Sequence, residues 1–347
     1  MGPTACRVLS AEADGVPGVF VERFAEGATL VVYEGVAPTM AFEPQAAAAV
    51  LDALHPFGVR GVYRKRFARD RSRLGGALPE DVRDPVPAAG EPVPEVVLVR
   101  ENACVFEVRL FDGLSTGLFL DQRENRRFVH EWVRSRRSSG EVHVLNTFAY
   151  TCAFSVAAAT AGATVASVDV SPRYLEWGRR NFLHNSIAPE THRFARMDTF
   201  EFCSYARRKA MLFDLIILDP PSFASGSKKK GVRPWSSVAD YARLVGEARE
   251  LLRPRGVILA STNTGELCRP GRLEREIIRG LGAPPARWVR LPDLSADVRD
   301  ERGRFASLAF EPQTGVKPAP SRASSVPSPM TDQSHAHSAR RPKPHRS

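Results

Sequence analysis

The run Asp219-Pro220-Pro221-Ser222-Phe223 holds the residue types in this chain that point most directly to chemistry. Two prolines fix the backbone just after an apolar stretch, so the carboxylate before them and the ring after them are held in place. A ring so held can stack on a flat base, an interaction worth about 1–3 kcal/mol. The plainer alternative is a rigid surface turn. Asp169, in Val168-Asp169-Val170-Ser171, lies 23 residues past Asn146. An acid about 20 residues beyond the first turn of a nucleotide-binding sheet can accept hydrogen bonds from ribose hydroxyls. Ser171-Pro172 reads as a helix cap and first turn, which leaves Asp169 for the ribose. Asp198, in Met197-Asp198-Thr199, suits an adenine amine and a helix cap equally. The turn from Asn146 to Cys152 precedes a helix, where backbone N–H groups can meet the charged end of a cofactor, although it lacks the glycine-rich form.

These residues need a scaffold that brings strand ends together. From about Arg126 the chain alternates helical and buried extended segments. Strands are expected at 142–146, 165–170, 193–197, 213–218 and 257–261. Helices are expected at 127–137, 154–161, 174–185, 199–209 and 238–252. Such alternation implies a mostly parallel sheet covered on both faces, which binds ligands beyond the carboxyl ends of its strands. The fold class is therefore α/β and Rossmann-like, with a smaller N-terminal α+β domain. That domain, residues 1–92, shows two short strands over 16–32 with a turn at Glu26-Gly27, an alanine-rich helix over 43–54 and a strand over 59–65. A basic run follows: Arg64, Lys65, Arg66, Arg69, Arg71 and Arg73. It reads as a phosphate-contacting edge or as a solvated loop. Residues 79–95, rich in Pro, Gly and acids, suggest a linker. Residues 93–125 form a β-hairpin connection, with paired strands at 95–100 and 103–110 and a turn at Glu101-Asn102. The sheet domain covers 126–312, and the Pro-, Ser- and Arg-rich segment 313–347 is expected to be disordered.

The formal charge is +10, but Lys317, Arg322, Arg340, Arg341, Lys343 and Arg346 against Asp332 supply about half of it. The folded part is only mildly basic, and charge alone does not establish a nucleic-acid partner. Five scattered cysteines without a CxxC pair argue against a disulfide framework and against a metal site, and suggest a reducing, cytoplasmic setting. No apolar run reaches membrane-spanning length.

In this order the motifs resemble class I S-adenosylmethionine-dependent methyltransferases, and among them the large-subunit ribosomal RNA group that contains 5-methylcytosine and 7-methylguanine enzymes. The likeness runs from about Ser10 to Ala309. It is carried by the Ser10–Gly18 segment, Thr116-Gly117-Leu118-Phe119-Leu120-Asp121-Gln122-Arg123, Tyr174-Leu175-Glu176-Trp177, the Asp-Pro-Pro-Ser-Phe run and Ser227-Lys228-Lys229. It implies S-adenosyl-L-methionine as cofactor, contacted by Asn146, Phe148, Tyr150, Asp169 and Asp198. Asp219 would stand at the reacting end, and ribosomal RNA would be the partner. Lys228, Lys229, Lys230 and Arg233 could meet its phosphates or form a solvated loop.

Three departures from the group matter. Many members begin with a small PUA domain, and none is expected here. Their Tyr-Thr-Gly is Tyr150-Thr151-Cys152, and the added side chain bears on cofactor affinity. The fifth strand ends at Ala260-Ser261-Thr262-Asn263-Thr264 without the cysteine of the 5-methylcytosine members. Methylation at C5 of a pyrimidine needs a thiolate to add to the ring first. Cys268, five residues past Asn263, would need a tight reversal to serve. A ring nitrogen such as guanine N7 is already nucleophilic and needs only alignment. Asp219, Phe223 and Asn263 are thus the expected catalytic residues, orienting and stacking the base. The alternatives are a 5-methylcytosine enzyme using Cys268, a DNA or protein methyltransferase, and an RNA-binding protein of the same fold with impaired catalysis.

Overall fold

The computed structural model describes residues 4–67, 80–224, 234–300 and 303–313. Arg69, Arg71, Arg73, Ser227 to Lys230, Arg233 and the tail beyond Gln313 lie outside the described residues.

The N-terminal part is a five-stranded sheet. It contains β1 (Ala5–Ser10), β2 (Val19–Phe24), β3 (Gly27–Tyr33), β4 (Gly61–Phe67) and β5 (Ala89–Gly90), in that spatial order. Helix α1 (Pro44–Leu54) connects β3 to β4, which pair in parallel. Alternation puts Val19, Val21, Ala28, Leu30, Val32 and Val62 on one face, where they pack with Ala47 and Leu54 of α1. The turn between β2 and β3 falls at Ala25, which has φ +50, and Glu26, one residue earlier than expected.

Two expectations are corrected here. The segment 79–95 is not a free linker: Val82 and Val93 are buried, and Ala89–Gly90 adds a strand to the sheet. Gly90 permits this at φ +85, since a Cβ there would lie 2.0 Å from the Arg60 carbonyl oxygen. Composition signalled flexibility, but the two glycines of the Gly61–Gly90 pair let the strands close. Nor is Lys65 a phosphate contact or a solvated residue. It is buried, and its Nζ donates to the Gly113 carbonyl at 2.6 Å. Burial lowers its pKa to about 8, against the pull of Glu22 and Asp112.

A hairpin follows, β6 (Val97–Glu101) and β7 (Cys104–Val108), turning through Asn102 at φ +52. The remaining elements are α2 (Arg123–Arg136), β8 (His143–Thr147), α3 (Ala153–Thr160), β9 (Thr164–Asp169), α4 (Pro172–His184), β10 (Arg193–Arg196), α5 (Thr199–Arg208) and β11 (Phe213–Leu218). Then come the short pair β12 (Phe223–Ala224) and β13 (Trp235–Ser236), followed by α6 (Ser237–Arg249), β14 (Leu252–Thr262), α7 (Arg272–Leu281), β15 (Arg287–Val289) and β16 (Ala306–Glu311). The large sheet has the order β10-β9-β8-β11-β14-β16-β15. Its first five strands are parallel, and β16 runs antiparallel between β14 and β15. One core, under α2, α3 and α4, also takes in the hairpin; the other lies under α5, α6 and α7. No helix among the described residues is long and apolar enough to cross a membrane.

Buried ion pairs bolt these parts together. Arg126 donates through Nε and Nη2 to Glu101 at 2.6 and 2.7 Å, with both residues about 2% exposed. Arg123 donates to Asp297 at 2.6 Å and to the Ala5 carbonyl at 2.6 Å, and Asp297 also accepts the Arg7 N–H at 3.0 Å. On the hairpin, Glu107 receives Arg109 and Arg180, while its carbonyl accepts Trp177 Nε1. Removing one member of a buried pair strands the other charge. Glu101→Ala is therefore expected to lower unfolding stability by about 3–5 kcal/mol, measured by urea titration. A loss within experimental error would show that the pair contributes little to the clamp.

Candidate functional site

Parallel pairing aligns the strand ends. Thr147 sits beside Val168 and Leu218, Leu218 beside Ala260, and Asp169 beside Arg196. Asp169, Asp198, Asp219 and Asn263 therefore leave the sheet along one edge.

The loop after β8 is unusual for a segment without glycine, because Phe148, Tyr150 and Cys152 all have positive φ, at 51, 48 and 62. A left-handed residue other than glycine costs about 1–2 kcal/mol, so the loop persists only where its surroundings hold it. Three bonds do so. Asp169 Oδ2 accepts the Tyr150 N–H at 2.9 Å, Val168 accepts the Ala149 N–H at 2.9 Å, and Thr151 Oγ1 donates to the Gly117 carbonyl at 2.6 Å. The Tyr150 ring packs against Tyr174 and Phe119, with centroids 4.5 and 5.3 Å away, and Phe148 lies 5.3 Å from Trp235.

Cys152 occupies the glycine position of the expected motif at φ +62, and its side chain is fully buried. Opposite it stands Gly178 of α4, where a Cβ would lie 2.3 Å from the Cys152 sulfur. The volume added at 152 is offset by the side chain missing at 178, and the thiol packs against α4. Burial pushes that thiol up to about 12, so it stays neutral.

Asn146 is 1% exposed, and its amide donates to Ser155 Oγ at 2.9 Å; that hydroxyl in turn lies 2.8 Å from Ser167 Oγ. Its side chain faces the interior between β8, α3 and β9, where it supports the loop from beneath.

Asp169 accepts one backbone N–H on each oxygen, from Tyr150 and from Ser171 at 2.8 Å, and keeps further lone pairs for hydroxyl donors. Burial pushes its pKa up, and those two bonds offset this. Ser171 caps α4. Asp198 Oδ1 caps α5, accepting from Phe200 and Glu201, and its Oδ2 makes no hydrogen bond among the described residues. The structure thus shows the cap. Val170, next to Asp169, is 44% exposed and offers an apolar surface for a flat base. Two acids at adjacent strand ends, an exposed valine and a loop of left-handed backbone fit a nucleoside carrying a charged tail.

At the other end, Ser261 Oγ donates to Asp219 Oδ1 at 2.9 Å, and Gln122 Nε2 donates to Ser261 Oγ at 3.0 Å. Burial pushes Asp219 up to about 6; Asp121 adds to this, and the Ser261 and Gln122 hydrogen bonds counter it. Tyr241, fully buried beneath, donates to the Ser261 carbonyl at 2.8 Å. Trp235 Nε1 and Ser237 Oγ both donate to the Pro221 carbonyl, fixing the proline turn. Ser222 Oγ donates to Asn263 Oδ1 at 2.9 Å, which joins the turn to the end of β14. Phe223 is 65% exposed.

The tight reversal that Cys268 would need does exist. The Cys268 N–H donates to the Thr264 carbonyl at 3.0 Å, and its sulfur lies 3.5 Å from the Thr262 carbonyl. The thiol is nevertheless pushed up to about 11 by burial and by Asp300, so almost none of it is the reactive thiolate at neutral pH. Gln122, Asn125, Ser261 and Val170 are site residues that sequence reasoning missed. The Leu120-Asp121-Gln122-Arg123 run was visible, but its bond to Ser261 spans 139 residues. Among the described residues no cluster of three His, Cys, Asp or Glu could hold a metal.

The model of the S-adenosylmethionine-dependent methyltransferase family matches residues 85–291. The chain belongs to this family. YwbD of Bacillus subtilis (strain 168) is 38% identical over 264 residues, which is 75% of this chain and 61% of that protein. A protein of Deinococcus radiodurans named ribosomal RNA large subunit methyltransferase is 29% identical over 308 residues, 88% of this chain and 70% of that one. The chain thus spans less than two thirds of the Bacillus relative. Among solved structures, SMU.776 complexed with SAH superposes with TM-score 0.73 at 29% identity, covering 88% of this chain and 75% of that chain. The cofactor of this family is S-adenosylmethionine, and the Asp169 end of the edge fits it.

Two predictions concern how this protein is built. Gly178→Ala should destabilise the protein by about 1–3 kcal/mol through overpacking against Cys152 and weaken SAH binding in calorimetry. The double variant Cys152→Gly with Gly178→Ala should recover both, and no recovery would show that the two positions are not coupled. For Asp219, the sign follows from its raised pKa. Between 3.8 and about 6 the folded chain binds more protons than the unfolded one, so this group's contribution to stability falls as pH rises. Asp219→Asn should therefore melt higher than wild type at pH 8, by roughly 2–4 °C per kcal/mol relieved, with no advantage at pH 4. Equal melting temperatures at both pH values would show that the carboxylate is not strained.

Proposed function

We propose that this protein transfers a methyl group to a base of large-subunit ribosomal RNA, at a ring nitrogen such as guanine N7. The observation that carries the reading is the state of the reacting end. An exposed Phe223, an Asn263 tied to the Asp-Pro-Pro-Ser turn and a carboxylate at Asp219 surround a place with no activated nucleophile among the described residues, since the nearby Cys268 is a neutral thiol. When bound, S-adenosylmethionine supplies a sulfonium methyl that a nucleophilic ring nitrogen can accept by direct displacement. Asp169 would hold the ribose, Asp198 and Val170 the adenine, and the backbone of Phe148 to Cys152 the charged tail. The side chains of Phe148 and Tyr150 would keep that backbone in shape. Phe223 would stack on the target base, while Asp219 and Asn263 fix its rotation, which is the alignment an already nucleophilic nitrogen requires. The names of the ribosomal RNA methyltransferase relatives support RNA as the substrate.

A 5-methylcytosine reading keeps one observation in its favour, the 3.5 Å approach of the Cys268 sulfur to Thr262 at the end of β14. Variants tell the two apart. Ring-nitrogen methylation requires Asn263→Ala and Phe223→Ala to lower turnover by about tenfold or more. Phe223→Ala removes stacking worth about 1–3 kcal/mol, whereas Cys268→Ala retains most activity. Asp169→Ala should weaken SAH binding, because each charge-assisted hydrogen bond is worth about 1.5–3 kcal/mol. The decisive measurement is methyl transfer to ribosomal RNA lacking the mark, followed by nucleoside analysis. Covalent trapping at Cys268 on RNA carrying 5-fluorocytosine would overturn the ring-nitrogen chemistry.

A further inference from the structure

Three amides and hydroxyls stand in line behind Asp219. Asn125 Nδ2 donates to Gln122 Oε1 at 2.7 Å and also to Ser307 Oγ at 2.8 Å. Gln122 Nε2 donates to Ser261 Oγ at 3.0 Å, and Ser261 Oγ donates to Asp219 Oδ1 at 2.9 Å. Gln122, Asn125 and Ser261 are 3%, 4% and 0% exposed, so water does not compete for these bonds. An amide NH₂ can only donate, so the Ser261 oxygen accepts from Gln122, and its proton goes to Asp219, its hydrogen-bond acceptor among the described residues. That bond is charge-assisted while Asp219 is ionised and weakens once the carboxyl is protonated.

We propose that Gln122, backed by Asn125, is a positioning residue that acts through the Ser261 hydroxyl to keep Asp219 in its ionised form beside the target base. The inference rests on the RNA-base reading above. The need for such a device is visible around the carboxylate. Burial and Asp121 oppose its charge, Tyr241 lies beneath it, and the cation within electrostatic reach, Arg126, is already bound to Glu101. Of the two Asp219 oxygens, Oδ1 accepts the Ser261 hydroxyl. Gln122 sits in the turn just before α2 and Asn125 in the first turn of that helix, so α2 sets the geometry of a carboxylate on another element.

The test uses the full-length protein and ribosomal RNA lacking the mark. In wild type, kcat/KM should fall as the pH drops through about 6. In Ser261→Ala and Gln122→Leu the acid limb should move up by about one unit. Activity at pH 6 then falls about tenfold relative to wild type and changes little at pH 8.5, while SAH affinity is unchanged. Ser261→Thr, which keeps the hydroxyl, should restore the wild-type limb. Should Ser261→Ala fail to fold, Ser261→Cys keeps the volume, loses the strong donor and is read in the same way. An acid limb that stays at about 6 in folded variants overturns the proposal. Infrared titration of the Asp219 carboxyl, identified by its loss in Asp219→Asn, reads the same ionisation without RNA. A midpoint that moves in the variants while no RNA is methylated upholds the relay and sinks the substrate reading. A midpoint that does not move sinks the relay alone.

Discussion

Two arginines enter the interior from the first turn of α2, and the rest of the architecture is arranged around their charge. Arg126 is matched by Glu101 of the hairpin, and Arg123 by Asp297 of the segment between β15 and β16 and by the Ala5 carbonyl of β1. Charges this deep are tolerated only when paired and hydrogen-bonded. The hairpin, α2, the C-terminal segment and the N-terminal sheet are thereby committed to one arrangement. That arrangement also fixes the turn at Leu120–Gln122, whose glutamine reaches across to Ser261. A stability device at one end of α2 is thus continuous with the polar chain that meets the Asp219 carboxylate.

Partial burial acts differently on two acidic groups, the Asp219 carboxyl and the Cys268 thiol. It raises Asp219, but only to about 6, so the group remains a carboxylate at neutral pH and can accept bonds from a base. It raises the Cys268 thiol to about 11, which leaves a poor nucleophile although the chain does turn back toward β14. Proximity and reactivity come apart here.

Much of the sheet was legible because buried parallel strands announce themselves as apolar runs between helical periods, and Asp169 and Asp219 follow from standing at the ends of such runs. What was not legible has specific causes. The final strands β15 and β16 and helix α7 carry mixed charge and short apolar content, and β16 breaks the parallel rhythm. Lys65 was hidden in a basic run because nothing local shows that the Gly113 carbonyl closes over it. Composition at 79–95 resembled a linker, since a close approach of two glycine backbones leaves no pattern in residue type. Asn146 stood at the right place with its side chain turned inward, a distinction that depends on Ser155 nine residues away. The Cys152 departure looked adverse until Gly178 supplied its counterpart.

The place of β16 has a consequence for biosynthesis. The N-terminal sheet pairs only residues between 5 and 90, so it can form as soon as that part of the chain has been made. β14 is different. One side pairs with β11, but the other waits for residues 306–311, made some fifty positions later. Until they arrive, the run Val257-Ile258-Leu259-Ala260 lies along an open sheet edge, the kind of surface on which nascent chains associate wrongly. The last strand therefore serves as a closing seam, and a chain interrupted before it would present the middle of the large sheet as an adhesive border.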